Sequence, residues 1–148
     1  MKIVMKNILL VDDSSWVRSC MRHTLEQMGH TCVEAGNGRD ALQKLRGNAV
    51  SLVITDVFMP EMDGLELIRR IGRAPIGPKI IAMSGSNDPI YLKMATHLGA
   101  CATLEKPFIS ERLFDLVHAH ATLENVDQQD EATQEWAEEL QEWALSVP

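Results

Sequence analysis

Ile8 to Val11 is a continuous apolar run that stops at Asp12 and Asp13, and three later strand-like segments stop at a polar residue in the same way. Leu52 to Thr55 ends at Asp56, Lys79 to Met83 at Ser84, and Cys101 to Glu105 at Lys106. Short uninterrupted apolar runs are the signature of strands buried on both faces, as in a parallel sheet covered by helices. Thr31 to Ala35 reads as a further, weaker strand.

Helical patterns fill the gaps. After Ser14, a capping residue, Val17, Cys20, Met21, Thr24, Leu25 and Met28 recur at helical spacing until Gly29, so residues 14–28 read as an amphipathic helix. Asn37 offers a cap with Asp40 three residues on, and Ala41, Leu42 and Leu45 give a short helix ending before Gly47. Pro60 and Gly64 mark a loop, Leu65, Ile68 and Ile71 carry a third helix, and Gly72 with Pro75 closes it. Asp88 before Pro89 is a helix start, with a stop at Gly99; Ser110 caps a last helix to about Leu123, with Leu113, Leu116 and Val117 inward. Alternating strands and helices predict an α/β fold, a five-stranded parallel sheet wound on both faces, because parallel strands need right-handed crossovers.

In such sheets ligands sit outside the carboxyl ends of the strands. Here those ends carry Asp12, Asp13, Asp56, Ser84 and Lys106. Taken singly each has an ordinary reading: Asp12 and Asp13 as a helix cap, Asp56 as a turn residue, Ser84 before Gly85 as a turn, Lys106 as a solvated loop lysine. Together they converge on one crevice. Clustered carboxylates raise one another's pKa unless a cation neutralises them, and a hard divalent ion such as Mg²⁺ takes oxygen ligands of this kind. A carboxylate can attack phosphorus to form an aspartyl phosphate, while an ion, an ammonium and a hydroxyl stabilise the equatorial oxygens.

The segments ILLVDD (8–13), ITDVFMP (54–60) with Gly64, AMSG (82–85) and LEKPF (104–108) resemble the receiver domain of two-component response regulators, over residues 6 to about 122. The resemblance implies a CheY-like, flavodoxin-like strand order 2-1-3-4-5. It implies that Asp56 is the phosphoacceptor, and that Asp13, Asp56 and the backbone carbonyl of Phe58 ligate Mg²⁺, with Asp12 acting through a bound water. Ser84 would hydrogen-bond a phosphoryl oxygen, Lys106 would pair with the phosphoryl group or Asp56, and the Lys106–Pro107 peptide would be cis. The sequence departs from the family at Thr103, where receivers commonly place Tyr or Phe; aromatic coupling through that position is not expected. Phe58 stands two residues after the acceptor, near the expected approach of water, which points to slow autodephosphorylation.

The net charge of −7 argues against nonspecific nucleic-acid binding, since phosphate backbones are held by Lys and Arg. Its distribution separates two parts. Residues 123–148 hold eight acidic residues and no Lys or Arg, while residues 1–122 hold 14 basic and 13 acidic. The chain is therefore read as a receiver domain over 1–122 and an acidic amphipathic extension over 123–148. Trp136, Leu140, Trp143 and Val147 line one stripe of a helix expected to begin near Asp130 and to dock on a receiver face or in a homodimer.

Cys20, Cys32 and Cys101 form no metal or disulfide spacing and are expected as small buried apolar residues. The five histidines are expected on surfaces or helix faces, and Met21, Met28, Met83 and Met94 as core filler, with packing also favoured for Tyr91 and Phe108. No apolar run is long enough to span a bilayer and none resembles a signal peptide, which predicts a cytoplasmic protein without membrane insertion. The function expected is a switch phosphorylated by a histidine kinase or histidine phosphotransfer protein, signalling to a target protein by contact, since residues 123–148 carry no DNA-binding or GGDEF-like pattern. A Mg²⁺-dependent phosphatase fits less well, because Phe58 stands where such an enzyme carries a second acid. A vestigial interaction module is disfavoured by the intact set of site residues.

Overall fold

The computed structural model describes residues 5–59, 62–72 and 77–120. Within these, five strands alternate with five helices: β1 (Asn7–Val11), α1 (Ser15–Gln27), β2 (Thr31–Ala35), α2 (Gly38–Gly47), β3 (Leu52–Asp56), α3 (Gly64–Gly72), β4 (Lys79–Ser84), α4 (Ile90–Leu98), β5 (Ala102–Glu105) and α5 (Ser110–His120). The strands form one parallel sheet in the order β2-β1-β3-β4-β5. The expected fold and strand order are both present. Pro60, Pro75, the helix stop near Leu123 and the whole 123–148 extension lie outside the described residues.

Side chains on a strand alternate between faces, and β1 divides its residues accordingly. Leu9 and Val11 enter a core with Val53, Ala82, Leu45, Leu67 and Ile71; Ile8 and Leu10 enter the other with Ile54, Met83, Met21, Leu25, Leu113 and Val117. Because both faces are covered, the central strands carry no polar stripe. Each Leu or Ile so buried contributes roughly 1.5–3 kcal/mol.

The local signals behave as chemistry requires. Ser14 Oγ accepts the Val17 N–H at 3.3 Å, and Asn37 Oδ1 accepts the Asp40 N–H at 2.8 Å. Gly29, with φ of 94°, ends α1 in a conformation that side-chain-bearing residues rarely adopt. Asp88 acts one step earlier than a cap: its Oδ1 accepts the Ile90 N–H at 3.0 Å, and Pro89 takes the N-cap position itself. Ser110 lies in the first turn of α5, because Ile109 supplies the carbonyl that receives Arg112 and Leu113.

Several expectations about burial fail. Cys20 and Cys101 are exposed and Cys32 only half-buried; the buried stripe of α1 runs through Met21 and Leu25, which turns Cys20 outward. Met94 is also exposed, because α4 buries Ala95 instead. His30 is buried rather than on a surface, since it closes the turn into β2 and its Nδ1 accepts the Lys6 N–H at 3.0 Å. Leu67, a buried residue of α3, was absent from the expected stripe. Tyr91 and Phe108 do pack partly against the two cores.

Candidate functional site

Parallel pairing brings the polar strand ends into register. Val11 lies beside Thr55, Asp56 beside Met83 and Ser84 beside Glu105, so the residues that follow each strand gather at one edge. The loops there are held by main-chain bonds: Val57 N–H to Met83 O at 2.9 Å, Gly64 N–H to Val57 O at 2.9 Å, and Lys106 N–H to Ser84 O at 2.8 Å. A Cβ on Gly64 would collide with the Asp56 carbonyl oxygen. Only glycine lets α3 start this close to the acidic strand end, which accounts for Gly64 following ITDVFMP.

Asp12, Asp13 and Asp56 each place a carboxylate oxygen within 4.8 Å of the others. Asp12 is fully buried and Asp56 nearly so, whereas Asp13 is exposed. Lys106 reaches in from beyond β5: its Nζ pairs with Asp12 Oδ2 and, at 3.0 Å, with Asp56 Oδ2. Asp12 is fixed on its other sides too, its N–H donating to Ala35 O at 3.2 Å and its Oδ1 accepting from Ser14 N–H at 2.9 Å. The Phe58 N–H donates to Asp56 Oδ1 at 3.3 Å.

Burial pushes the Asp56 carboxyl above the ordinary carboxylate range; the Lys106 hydrogen bond and charge pull it back, Asp12 raises it further, and the Phe58 N–H lowers it. Burial alone would depress Lys106, yet its bonds to Asp12 and Asp56 outweigh that and raise its pKa. One ammonium thus faces three carboxylates. The set leaves negative charge uncompensated and offers only oxygen donors, so it fits a hard divalent cation.

Ser84 is buried at the end of β4, its Oγ accepting the Ser86 N–H at 3.1 Å. A hydroxyl that accepts in this way still has a proton to donate. The Lys106–Pro107 peptide is cis, as expected. Around the site Phe58, 45% exposed, makes an edge-to-face contact with Tyr91 on α4, the ring centroids 4.5 Å apart. A cavity of about 470 Å³ lined by Trp16, Val17, Cys20, Lys106 and Phe108 opens beside the lysine. Thr103 lines a separate cavity of about 420 Å³ with Phe108, Ile109 and Arg112.

One residue was missed by sequence reasoning. Arg18 on α1 donates from Nη1 to the Asp12 carbonyl oxygen and from Nε to Glu34 Oε1 at 3.1 Å. A lone helix arginine carries no motif; only its position six residues after Asp12 on a strand–helix turn hinted at it.

Comparison with known proteins fixes the family. Residues 8–118 match the model described as the response regulator receiver domain. This chain belongs to the receiver-domain family. It is 32% identical over 112 residues to the chemotaxis protein CheY of Halobacterium salinarum, covering 76% of this chain and 93% of that protein. It is 33% identical over 111 residues to the transcriptional regulatory protein AfsQ1 of Streptomyces coelicolor, covering 75% of this chain but 48% of that protein. The chain spans about half or less of the first transcriptional regulators it matches. Among solved structures, the chemotaxis response regulator CheY4 of Vibrio cholerae superposes with a TM-score of 0.71 at 29% identity, covering 78% of this chain and 98% of that one. As a receiver domain it serves phosphoryl acceptance in two-component signalling, a signalling rather than a metabolic role. Receivers work with histidine kinases and downstream effectors. No helix among the described residues is long and apolar enough to cross a membrane.

Proposed function

We propose that this receiver takes a phosphoryl group onto Asp56 from a phosphohistidine on a kinase or phosphotransfer protein, with Mg²⁺ held by Asp13, Asp56 and the Phe58 carbonyl and by Asp12 through water. The observation that carries this reading is the buried Asp56 carboxylate, packed against two further carboxylates and bonded to Lys106. An Asp56 oxygen attacks phosphorus as the phosphorus–nitrogen bond breaks, and the histidine leaves as imidazole after taking up a proton. The ion would neutralise the carboxylates and the charge on the transferring oxygens. Lys106, already bonded to Asp56, stays to pair with the phosphoryl group, and Ser84 donates its hydroxyl proton to a phosphoryl oxygen.

The receiver is assigned to residues 1–122 and the acidic extension to 123–148, with output through contact with a target protein and no nucleic acid or membrane insertion. A cytoplasmic setting suits a kinase-fed switch. The stripe of Trp136, Leu140, Trp143 and Val147 would dock on a receiver face or join two copies. For the central assignment, wild type and Asp56→Asn are incubated with acetyl phosphate and Mg²⁺ and weighed intact. Wild type gains one phosphoryl mass and the variant does not; equal incorporation in both would sink the assignment.

A further inference from the structure

We infer that Arg18 is a positioning residue for the metal ligands, setting the direction of Asp13 through the peptide bond that joins it to Asp12. The inference rests on the reading of Asp12, Asp13 and Asp56 as a Mg²⁺ site. A trans peptide is planar and stiff, so a bond to the Asp12 carbonyl fixes the orientation of the Asp13 N–H and of the Cα behind it. Asp12 hardly needs this help. Its N–H, Oδ1 and Oδ2 are engaged by Ala35, Ser14 and Lys106. Asp13 differs, because it is exposed and takes its direction from the main chain on which it stands.

The arginine is itself anchored. Its side chain is 18% exposed, and Glu34 on β2, beside Leu10 in register, receives its Nε. Glu34 forms an ion pair in turn with Arg22, whose Nε lies 3.0 Å from Oε2 without hydrogen-bond geometry, and Arg22 Nη2 donates to the Cys32 carbonyl at 3.1 Å. A run of bonds therefore ties the β1–α1 turn to the edge strand. Glu34 and Glu26 together balance Arg18 and Arg22, so the arginine acts on the cluster mainly by geometry rather than by adding net positive charge. The planar guanidinium can serve Glu34 and the Asp12 carbonyl at once; an ammonium on a flexible stem cannot hold that fork.

The test is calorimetric titration of the full chain with Mg²⁺, alongside thermal melts in EDTA. Partners that orient metal ligands typically change affinity about 10–100-fold when removed. Arg18→Ala is expected to weaken Mg²⁺ binding about tenfold, and Arg18→Lys by an intermediate amount. In the Asp13→Asn background the same Arg18→Ala change should cost much less, because the ligand whose direction it sets is gone. Unchanged affinity in Arg18→Ala overturns the inference. So does an equal fold-loss in both backgrounds, which would signify general loosening. If Arg18→Ala does not fold, Arg18→Lys carries the same two-background comparison. Wild type that binds no Mg²⁺ would overturn the metal reading itself, and that result appears before any substitution is made.

Discussion

The two ends of the sheet bury polar groups for opposite reasons. At the amino-terminal ends, His30 meets the Lys6 N–H through Nδ1, Thr31 Oγ1 bonds Asn7 Oδ1 at 3.1 Å, and Ser51 N–H bonds Asn7 O at 3.0 Å. These contacts join strands and leave one buried ring nitrogen, His30 Nε2, without a hydrogen-bond partner. At the carboxyl-terminal ends, Asp12 and Asp56 share one lysine, and Asp13 adds a further charge. The first arrangement is uncharged and ties strand to strand, whereas the second holds a charge excess and gains from a ligand. Burial at one end supports the fold; at the other it stores unbalanced charge that a cation and a phosphoryl group can use.

Metal affinity should separate the ends most sharply. Asp13→Asn is expected to weaken Mg²⁺ binding by roughly 100-fold and Asp12→Asn by less, since the first is assigned a direct contact and the second a water-mediated one. His30→Ala should leave the titration unchanged. A comparable loss in His30→Ala would erase the contrast.

Stability should move the other way. His30→Ala leaves the buried Lys6 N–H without its acceptor, at a cost of about 1–3 kcal/mol in denaturant melts at pH 8. The pH response sharpens this. Burial, then the Lys6 charge, hold His30 below its ordinary value of 6.5 in the fold, so its contribution is present above 6.5 and lost as pH falls through the depressed value. His30→Gln, which keeps an acceptor but cannot titrate, should show a shallower loss of melting temperature below pH 6.5.

Asp56 has the reverse sign. Its folded pKa lies above 3.8, so the protonated fold is favoured below 3.8 and that advantage disappears as pH rises through the raised value. At neutral pH in EDTA, Asp56→Asn is expected to raise the melting temperature by roughly 2–4 °C, the shift of about 1 kcal/mol in a domain of this size. Saturating Mg²⁺ should reverse the order, because binding to the folded state stabilises only the chain with its ligands intact. A variant less stable than wild type in EDTA would remove the argument from stored charge.

The smallest effect concerns the Phe58–Tyr91 contact, which links the acceptor loop to α4. Edge-to-face pairs add about 0.5–1.5 kcal/mol beyond burial. A double-mutant cycle of Phe58→Leu and Tyr91→Leu should return a coupling energy in that range, measured by urea unfolding. Strict additivity would mean that the rings merely adjoin.

Much of this was legible in the chain. The continuous apolar runs marked the buried strands, and Ser14, Asn37 and Gly29 marked helix ends, because capping and positive-φ turns depend on a few neighbouring atoms. Asp12, Asp13, Asp56, Ser84 and Lys106 could be grouped by their place after each strand, since parallel topology sends those ends to one edge. Burial was harder to read. Cys20 and Met94 are exposed although their side chains are apolar, because helix rotation decides which stripe faces the sheet, and Cys101 is exposed just before β5. His30 is buried although its ring is polar, because a backbone donor 24 residues away in sequence awaits it.

The sequence by itself determined the alternation of elements, the chemistry at the strand ends and the family. Only the tertiary structure decided how that chemistry is held. Lys106 reaches Asp12 across 94 residues, Arg18 closes on the Asp12 carbonyl, and Gly64 clears the Asp56 backbone. Local preference acts over a turn or two of chain, whereas these contacts exist only after the sheet has brought distant segments to hydrogen-bonding distance.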